Sequence, residues 1–217
     1  MNEMDPHSGQ PVAHGGPPLE EAAGAMILVH GRGASATNIL GLGEALRLSD
    51  YALLAPQAAN HTWYPYSFLA PMEQNEPFLS SALRRLSALV DEVIAGGTAP
   101  ERLVLLGFSQ GACLSLEFVA RHPRRYGGVV GFSGGLIGPP GTPREYDGSL
   151  AGTPIFLGSS DPDSHIPVER VFETDEVLSE MGAVVTTRIY PGMGHTVNEE
   201  EMAFARAIAT SALKDSD

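Results

Sequence analysis

Six short apolar runs punctuate the chain, at 26–30, 51–55, 103–107, 128–132, 155–158 and 184–190. Most are continuously apolar rather than alternating, the pattern of parallel strands covered on both faces. Between them the period changes to that of helices. The segment 76–95 carries a stripe at Leu79, Leu83, Leu86, Val90 and Ile94 and ends at Gly96-Gly97. A second, 110–121, presents Cys113, Leu116 and Ala120 and stops at His122-Pro123. A third, 168–181, uses Val168, Val171, Phe172, Leu178 and Met181, and a further helix is predicted over 37–48. The last helix begins after Asn198, with Glu201 placed for a capping box and Val197 set to staple against Met202. Strand and helix alternate with mostly short connections, which predicts a doubly wound, mostly parallel α/β sheet with right-handed crossovers.

Residues 25–217 read as a single domain, preceded by an N-terminal arm over 1–24 that is either extended on the body or a loose tail. Two connections are long, 57–75 and 134–153, and such loops often bind ligands or act as lids. No internal repeat or low-complexity block interrupts the pattern.

Composition narrows the possible functions. The chain has 217 residues, 43% hydrophobic and only 18% charged, enough for a sizeable core. Its formal charge is −13, which repels nucleic acid and acidic membrane surfaces. Lys214 is the only lysine. No apolar run approaches the roughly 20 residues needed to span a bilayer, so membrane insertion is not expected. Cys113 is the only cysteine and the polar arm lacks a signal-peptide pattern, which together suggest a reducing, cytoplasmic setting.

The chemistry concentrates in four segments. Gly107-Phe108-Ser109-Gln110-Gly111 follows an apolar run and opens an apolar-striped helix. G-x-S-x-G alone is a weak signal, but in a strand–turn–helix context it marks a nucleophile elbow that lifts the serine hydroxyl above the sheet. Ser133, in Gly131-Phe132-Ser133-Gly134-Gly135, lacks a following helical run and reads as a loop residue. A serine needs a base, and His195 is the candidate: it follows the last strand and precedes the capped last helix, at the sheet edge where Ser109 emerges. His7 and His14 lie in the tail, His122 ends a helix, His30 reads as a structural residue that hydrogen-bonds its loop, and His61 reads first as a surface residue and second as a pocket residue; no pair has metal-binding spacing, so no metal site is expected. An acid should follow the strand between the two, and both Asp161 and Asp163 qualify. His30-Gly31-Arg32-Gly33, after the first strong strand, offers the backbone N–H of Arg32 to an oxyanion hole completed by Gln110. The side chain of Arg32 reads first as a solvated arginine and second as an attraction for an anionic substrate.

With these segments assembled, the chain resembles the phospholipase/carboxylesterase family, the α/β-hydrolase branch that includes bacterial carboxylesterases and acyl-protein thioesterases. The resemblance rests on Leu28-Val-His-Gly-Arg-Gly33, Gly107-Phe-Ser-Gln-Gly-Ala112, Asp163-Ser-His-Ile-Pro167 and Gly192-Met-Gly-His195. It implies an α/β-hydrolase fold, the triad Ser109, Asp163 and His195, oxyanion donors at Arg32 and Gln110, no cofactor, and frequent homodimers. Asp163 is preferred over Asp161 because the family's acid commonly opens an Asp-Pro-x-Val-Pro segment. The segment here is two residues longer than usual, and many relatives carry Leu at the position of Arg32.

The expected substrate is a small-molecule carboxylic ester or thioester. Trp63, Tyr64, Tyr66, Phe68 and Leu69 crowd the loop after the second strand, where Trp63, Tyr64 and Phe68 are candidates for a substrate pocket or, equally, for sheet cover. Short acyl or aryl esters are expected over long lipids, because no basic amphipathic surface invites a membrane. Two other readings stand beside this one: a dienelactone-type lactone hydrolase, although such enzymes typically carry Cys at the elbow, and a non-catalytic binding protein on the same scaffold.

Overall fold

Successive strand residues serve two different cores, which is why the strand runs are continuously apolar. In β2 (Gly24–Val29), Ala25, Ile27 and Val29 enter one core while Met26 and Leu28 enter the other. The same division separates Leu103 and Leu105 from Val104 and Leu106 in β4 (Leu103–Phe108). A computed structural model describes residues 5–214. The first four residues of the arm and the last three of the chain lie outside the described residues.

The remaining strands are β1 (Val12–Gly15), β3 (Tyr51–Pro56), β5 (Gly128–Phe132), β6 (Pro154–Asp161) and β7 (Val184–Pro191). They form one seven-stranded sheet in the order β1-β3-β2-β4-β5-β6-β7, parallel throughout except for β1. Helices α1 (Ala36–Ala45) and α5 (Glu199–Ala212) cover one face. Helices α2 (Phe78–Ala95), α3 (Gln110–Arg121) and α4 (Val168–Glu180) cover the other. The α/β-hydrolase architecture expected from the sequence is therefore present. α1 is shorter than the predicted 37–48. Its chain tightens where Leu46 and Arg47 N–H groups turn back to Gly43 and Glu44, and Arg47 adopts a φ of 55°.

The arm contains a strand that the periodicity does not predict. Strand β1 pairs antiparallel with β3, Val12 opposite Pro56 and Gly15 opposite Leu53, so part of the arm is an edge of the sheet. Gly16 follows at φ 69°, where a Cβ would lie 2.2 Å from the Tyr51 carbonyl oxygen. Upstream, His7 is not a surface tail residue but fully buried. Its Nδ1 accepts from the Ala59 N–H at 3.1 Å and its Nε2 donates to the Trp63 carbonyl at 2.9 Å. Burial holds the imidazole below its ordinary pKa, in the neutral form these two bonds require.

The long connection after β5 is tied down. Glu117 of α3 is buried and accepts from Arg121 at 2.6 Å, from the Ile137 N–H at 3.1 Å and from the Tyr146 hydroxyl at 3.2 Å. Arg170 of α4 donates to the Leu136 and Gly138 carbonyls, each at 2.7 Å, while Arg144 reaches Ile137 O at 2.6 Å and Glu173 at 2.9 Å. This ionic knot makes residues 136–146 a fixed flank of the body.

Candidate active site

The elbow forms where β4 ends and α3 begins. Ser109 sits between them at φ 54° and ψ −119°, a conformation that costs about 1–3 kcal/mol for a residue with a side chain. Its N–H donates to Phe132 O at 2.8 Å, and its carbonyl receives the Cys113 N–H at 3.0 Å, so both neighbouring elements hold the strain in place. The two glycines follow from close approach. A Cβ on Gly107 would lie 2.4 Å from Gly111 O, and one on Gly111 would lie 2.0 Å from Val29 O. Ser133, by contrast, is fully buried and does not line the active-site cavity.

His195 hangs from the turn between β7 and α5. Gly192 and Gly194 take φ values of 66° and 79°, and the Gly194 N–H donates to Ser160 Oγ at 2.9 Å. The capping box below it is complete: Asn198 Oδ1 accepts from the Glu201 N–H, and the Glu201 carboxylate accepts from the Asn198 N–H. His195 Nε2 lies 2.8 Å from Ser109 Oγ, and its Nδ1 lies 2.8 Å from Asp163 Oδ2. The imidazole packs on Phe108 and meets His165 edge-on, with ring centroids 5.0 and 4.7 Å away.

Of the two candidate acids, Asp163 reaches the histidine. Its side chain is fully shielded, and its other oxygen accepts from the N–H groups of His165 at 2.8 Å and Ile166 at 3.2 Å. Burial alone would raise its pKa. The hydrogen bonds from His195, His165 and Ile166 outweigh that and hold the carboxyl below its ordinary value. Asp161 ends β6 with its side chain exposed, and contributes its carbonyl to the Gly192 N–H.

The loop after β2 passes close over the elbow. A Cβ on Gly31 would lie 3.4 Å from Ser109 Cβ. His30 braces this loop, with Nδ1 donating to Gly31 O at 2.8 Å and Nε2 accepting from the Ala58 N–H at 3.1 Å. Arg32 is exposed, and its guanidinium donates to the carbonyls of Pro65 and Tyr66 at 2.7 and 2.5 Å. Gln110 opens α3, so its N–H has no intrahelical acceptor and points toward incoming negative charge. Its buried side chain has a further task that the sequence reading missed. Oε1 accepts from the Trp63 N–H at 2.9 Å and Nε2 donates to Tyr64 O at 2.8 Å, which fixes the aromatic loop to the elbow. An amide on the first turn of an otherwise apolar helix was the available signal.

The cavity beside Ser109 has a volume of about 420 Å³. Tyr64 and Phe68 line it, and Trp63 does not. Trp63 is fully buried beneath the loop, between the rings of His7 and His30, with its indole N–H on His30 O at 2.8 Å. Phe108, Cys113, His165 and Ile166 also line it, a role the sequence did not indicate for them. Burial pushes the Cys113 thiol up to about 12, so it is protonated at neutral pH. Among the described residues, no helix is long and apolar enough to cross a membrane.

Sheet order, elbow and flanking helices define an α/β-hydrolase. The phospholipase/carboxylesterase family model matches residues 16–211, and the chain belongs to that family. A crystal structure of a phospholipase/carboxylesterase from Dyadobacter fermentans superposes with a TM-score of 0.90. It is 42% identical and covers 98% of this chain and 100% of that one. The chain is 29% identical to acyl-protein thioesterase 1 of Debaryomyces hansenii, over 89% of this chain and 93% of the relative. It is 30% identical to a probable carboxylesterase SOBER1-like of Arabidopsis thaliana, over 60% of this chain and 50% of the relative. It thus spans about half the length of some of the curated relatives it matches.

Proposed function

We propose that the protein is a serine carboxylesterase or acyl thioesterase working through an acyl-enzyme. The carrying observation is the relay in which one imidazole lies 2.8 Å from both Ser109 Oγ and Asp163 Oδ2. An ionised Asp163 keeps the proton on Nδ1, so the Nε2 lone pair faces the serine hydroxyl. Oγ attacks the acyl carbon as its proton passes to Nε2. The carbonyl oxygen becomes an oxyanion, received by the N–H groups of Gln110 and Arg32, and losing one such donor typically costs about 100 to 1,000-fold. Collapse expels an alcohol or thiol that takes the proton from Nε2. A water then attacks the acyl-serine as its proton passes to Nε2, and collapse breaks the bond to Oγ, which takes that proton back as the acid leaves.

The relatives named carboxylesterase and acyl-protein thioesterase support this reaction class. The apolar walls at Tyr64, Phe68 and Ile166 favour an acyl or aryl group. A reducing cytoplasmic setting fits the single buried thiol of Cys113. A fluorophosphonate probe should label the wild type and not Ser109→Ala, and the variant should lose 4-nitrophenyl acetate hydrolysis while staying folded. Turnover retained by the variant rejects the assignment. Cleavage of lactones in preference to open esters would favour the lactone-hydrolase reading, and absence of labelling would favour a binding protein.

A further inference from the structure

His195 stands between two cavities. One contains Ser109, Gln110 and Arg32 and runs inward past Cys113, Tyr64, Phe68 and Ile166. The other, about 430 Å³, runs over Ile39, Leu42 and Val197 and among the described residues has no Asp, Glu, Arg or Lys in its wall.

The inner cavity is electrostatically unlike the rest of the molecule. The chain carries 26 acidic against 13 basic residues, yet among the described residues no Asp or Glu lines this cavity, and Arg32 is its only Arg or Lys. The guanidinium is already positioned. Its bonds to the Pro65 and Tyr66 carbonyls and its place over the Tyr64 ring, 5.9 Å from the centroid, fix its plane. Both acceptors are neutral carbonyls, and among the described residues Arg32 forms no ion pair. The guanidinium keeps its charge, its Nε–H and one N–H on each terminal nitrogen, donors that suit a carboxylate.

The geometry points to Arg32 as a specificity-determining residue for an ester or thioester whose acyl portion bears a second, anionic group, as in a half-ester of a dicarboxylic acid. This rests on the hydrolase reading above. The apolar walls take the methylene chain, and the guanidinium takes the distal carboxylate.

The test compares 4-nitrophenyl hemiglutarate with 4-nitrophenyl valerate, acyl chains of equal length, after subtraction of spontaneous hydrolysis. Wild type should favour the anionic ester in kcat/KM by about tenfold or more, chiefly through KM, and the preference should shrink as salt is raised. Because the guanidinium also props the 65–66 turn, Arg32→Met slows both esters, and the readout is the ratio. The ratio should fall toward one in Arg32→Met and be partly kept in Arg32→Lys. A wild type that does not favour the anionic ester, or a ratio that survives in Arg32→Met, overturns the inference. If neither ester turns over and the fluorophosphonate fails to label Ser109, the hydrolase reading itself fails. Calorimetric titration with glutarate reads the subsite without turnover. Binding that is lost in Arg32→Met supports it, and no binding to the wild type overturns it.

Discussion

The side-chain amide of Gln110 grips the main chain of Tyr64, donating from Nε2 to its carbonyl at 2.8 Å. Through this bond and the one from the Trp63 N–H, the residue after the nucleophile also positions the loop that walls the cavity. Gln110→Met keeps the backbone N–H and the helix but leaves the buried Trp63 N–H unpaired, at about 1–3 kcal/mol, while the Tyr64 carbonyl keeps only the Thr62 hydroxyl. The variant should melt lower and show a raised KM for aryl esters, with a smaller change in kcat. An unchanged KM with a reduced kcat would place the role of this side chain at the oxyanion instead.

The strain at Ser109 gives a second prediction. With φ at 54° and ψ at −119°, the site disfavours any Cβ, and glycine alone adopts this conformation without penalty. Ser109→Gly should therefore be more stable than Ser109→Ala, by about 1 kcal/mol, while both are inactive. Equal melting temperatures would indicate that the surrounding hydrogen bonds do not store strain. In the same series, Asp163→Asn should lose about 10⁴-fold in kcat through the wrong imidazole tautomer. Asp161→Asn, at an exposed strand end, should change little.

The elements that the sequence made legible are those whose pattern is dictated by burial. Six parallel strands, the helix over 110–121 and the capping box at Asn198 are found where periodicity and spacing put them. The elbow was legible because the two glycines answer to local steric demands. β1 was not, because four residues at a sheet edge carry too little apolar pattern to separate a strand from a tail. His7 was misread, and the place of Trp63 left open, for a related reason. Their environment is made by contacts 56 residues apart in the chain, which no local window contains. Asp163 and Asp161 could be ranked only by resemblance, since the turn chemistry that shields one and exposes the other depends on Ile166 and His165 closing back onto Asp163.

The ionic knot around Glu117 predicts a separation of stability from activity. Glu117 is fully shielded, and its acceptors serve Arg121, Tyr146 and the Ile137 N–H. Glu117→Leu leaves the buried Ile137 N–H and the Tyr146 hydroxyl without this acceptor, a loss of about 1–3 kcal/mol for each buried donor, while the partly exposed Arg121 turns to solvent. None of residues 136–146 lines the cavity beside Ser109. The variant should thus melt much lower and be cut by protease within 136–146, yet retain near-normal kcat/KM at a temperature where it is folded. A parallel loss of kcat/KM in the folded variant would show that this flank does position the site.

Glu201 gives the molecule a stability profile that bends near neutrality. Its carboxyl is buried and pushed up from the ordinary 4.5 to about 7, chiefly by burial and further by Glu200, against the opposing bond from the Asn198 N–H. One oxygen holds that N–H, while the other, beside Gly158, has no partner. Between 4.5 and about 7 the folded state binds the proton more tightly than the unfolded chain, so stability falls as pH rises through this window. The full penalty above it is about 3 kcal/mol. Glu201→Gln keeps an acceptor for the Asn198 N–H and cannot ionise, so it should lack this slope. It should be more stable than wild type at pH 8 and no more stable at pH 5, a crossing that chemical denaturation at the two pH values would reveal. Parallel curves for the two proteins would mean that Glu201 is ionised throughout, with a counter-charge or water compensating it.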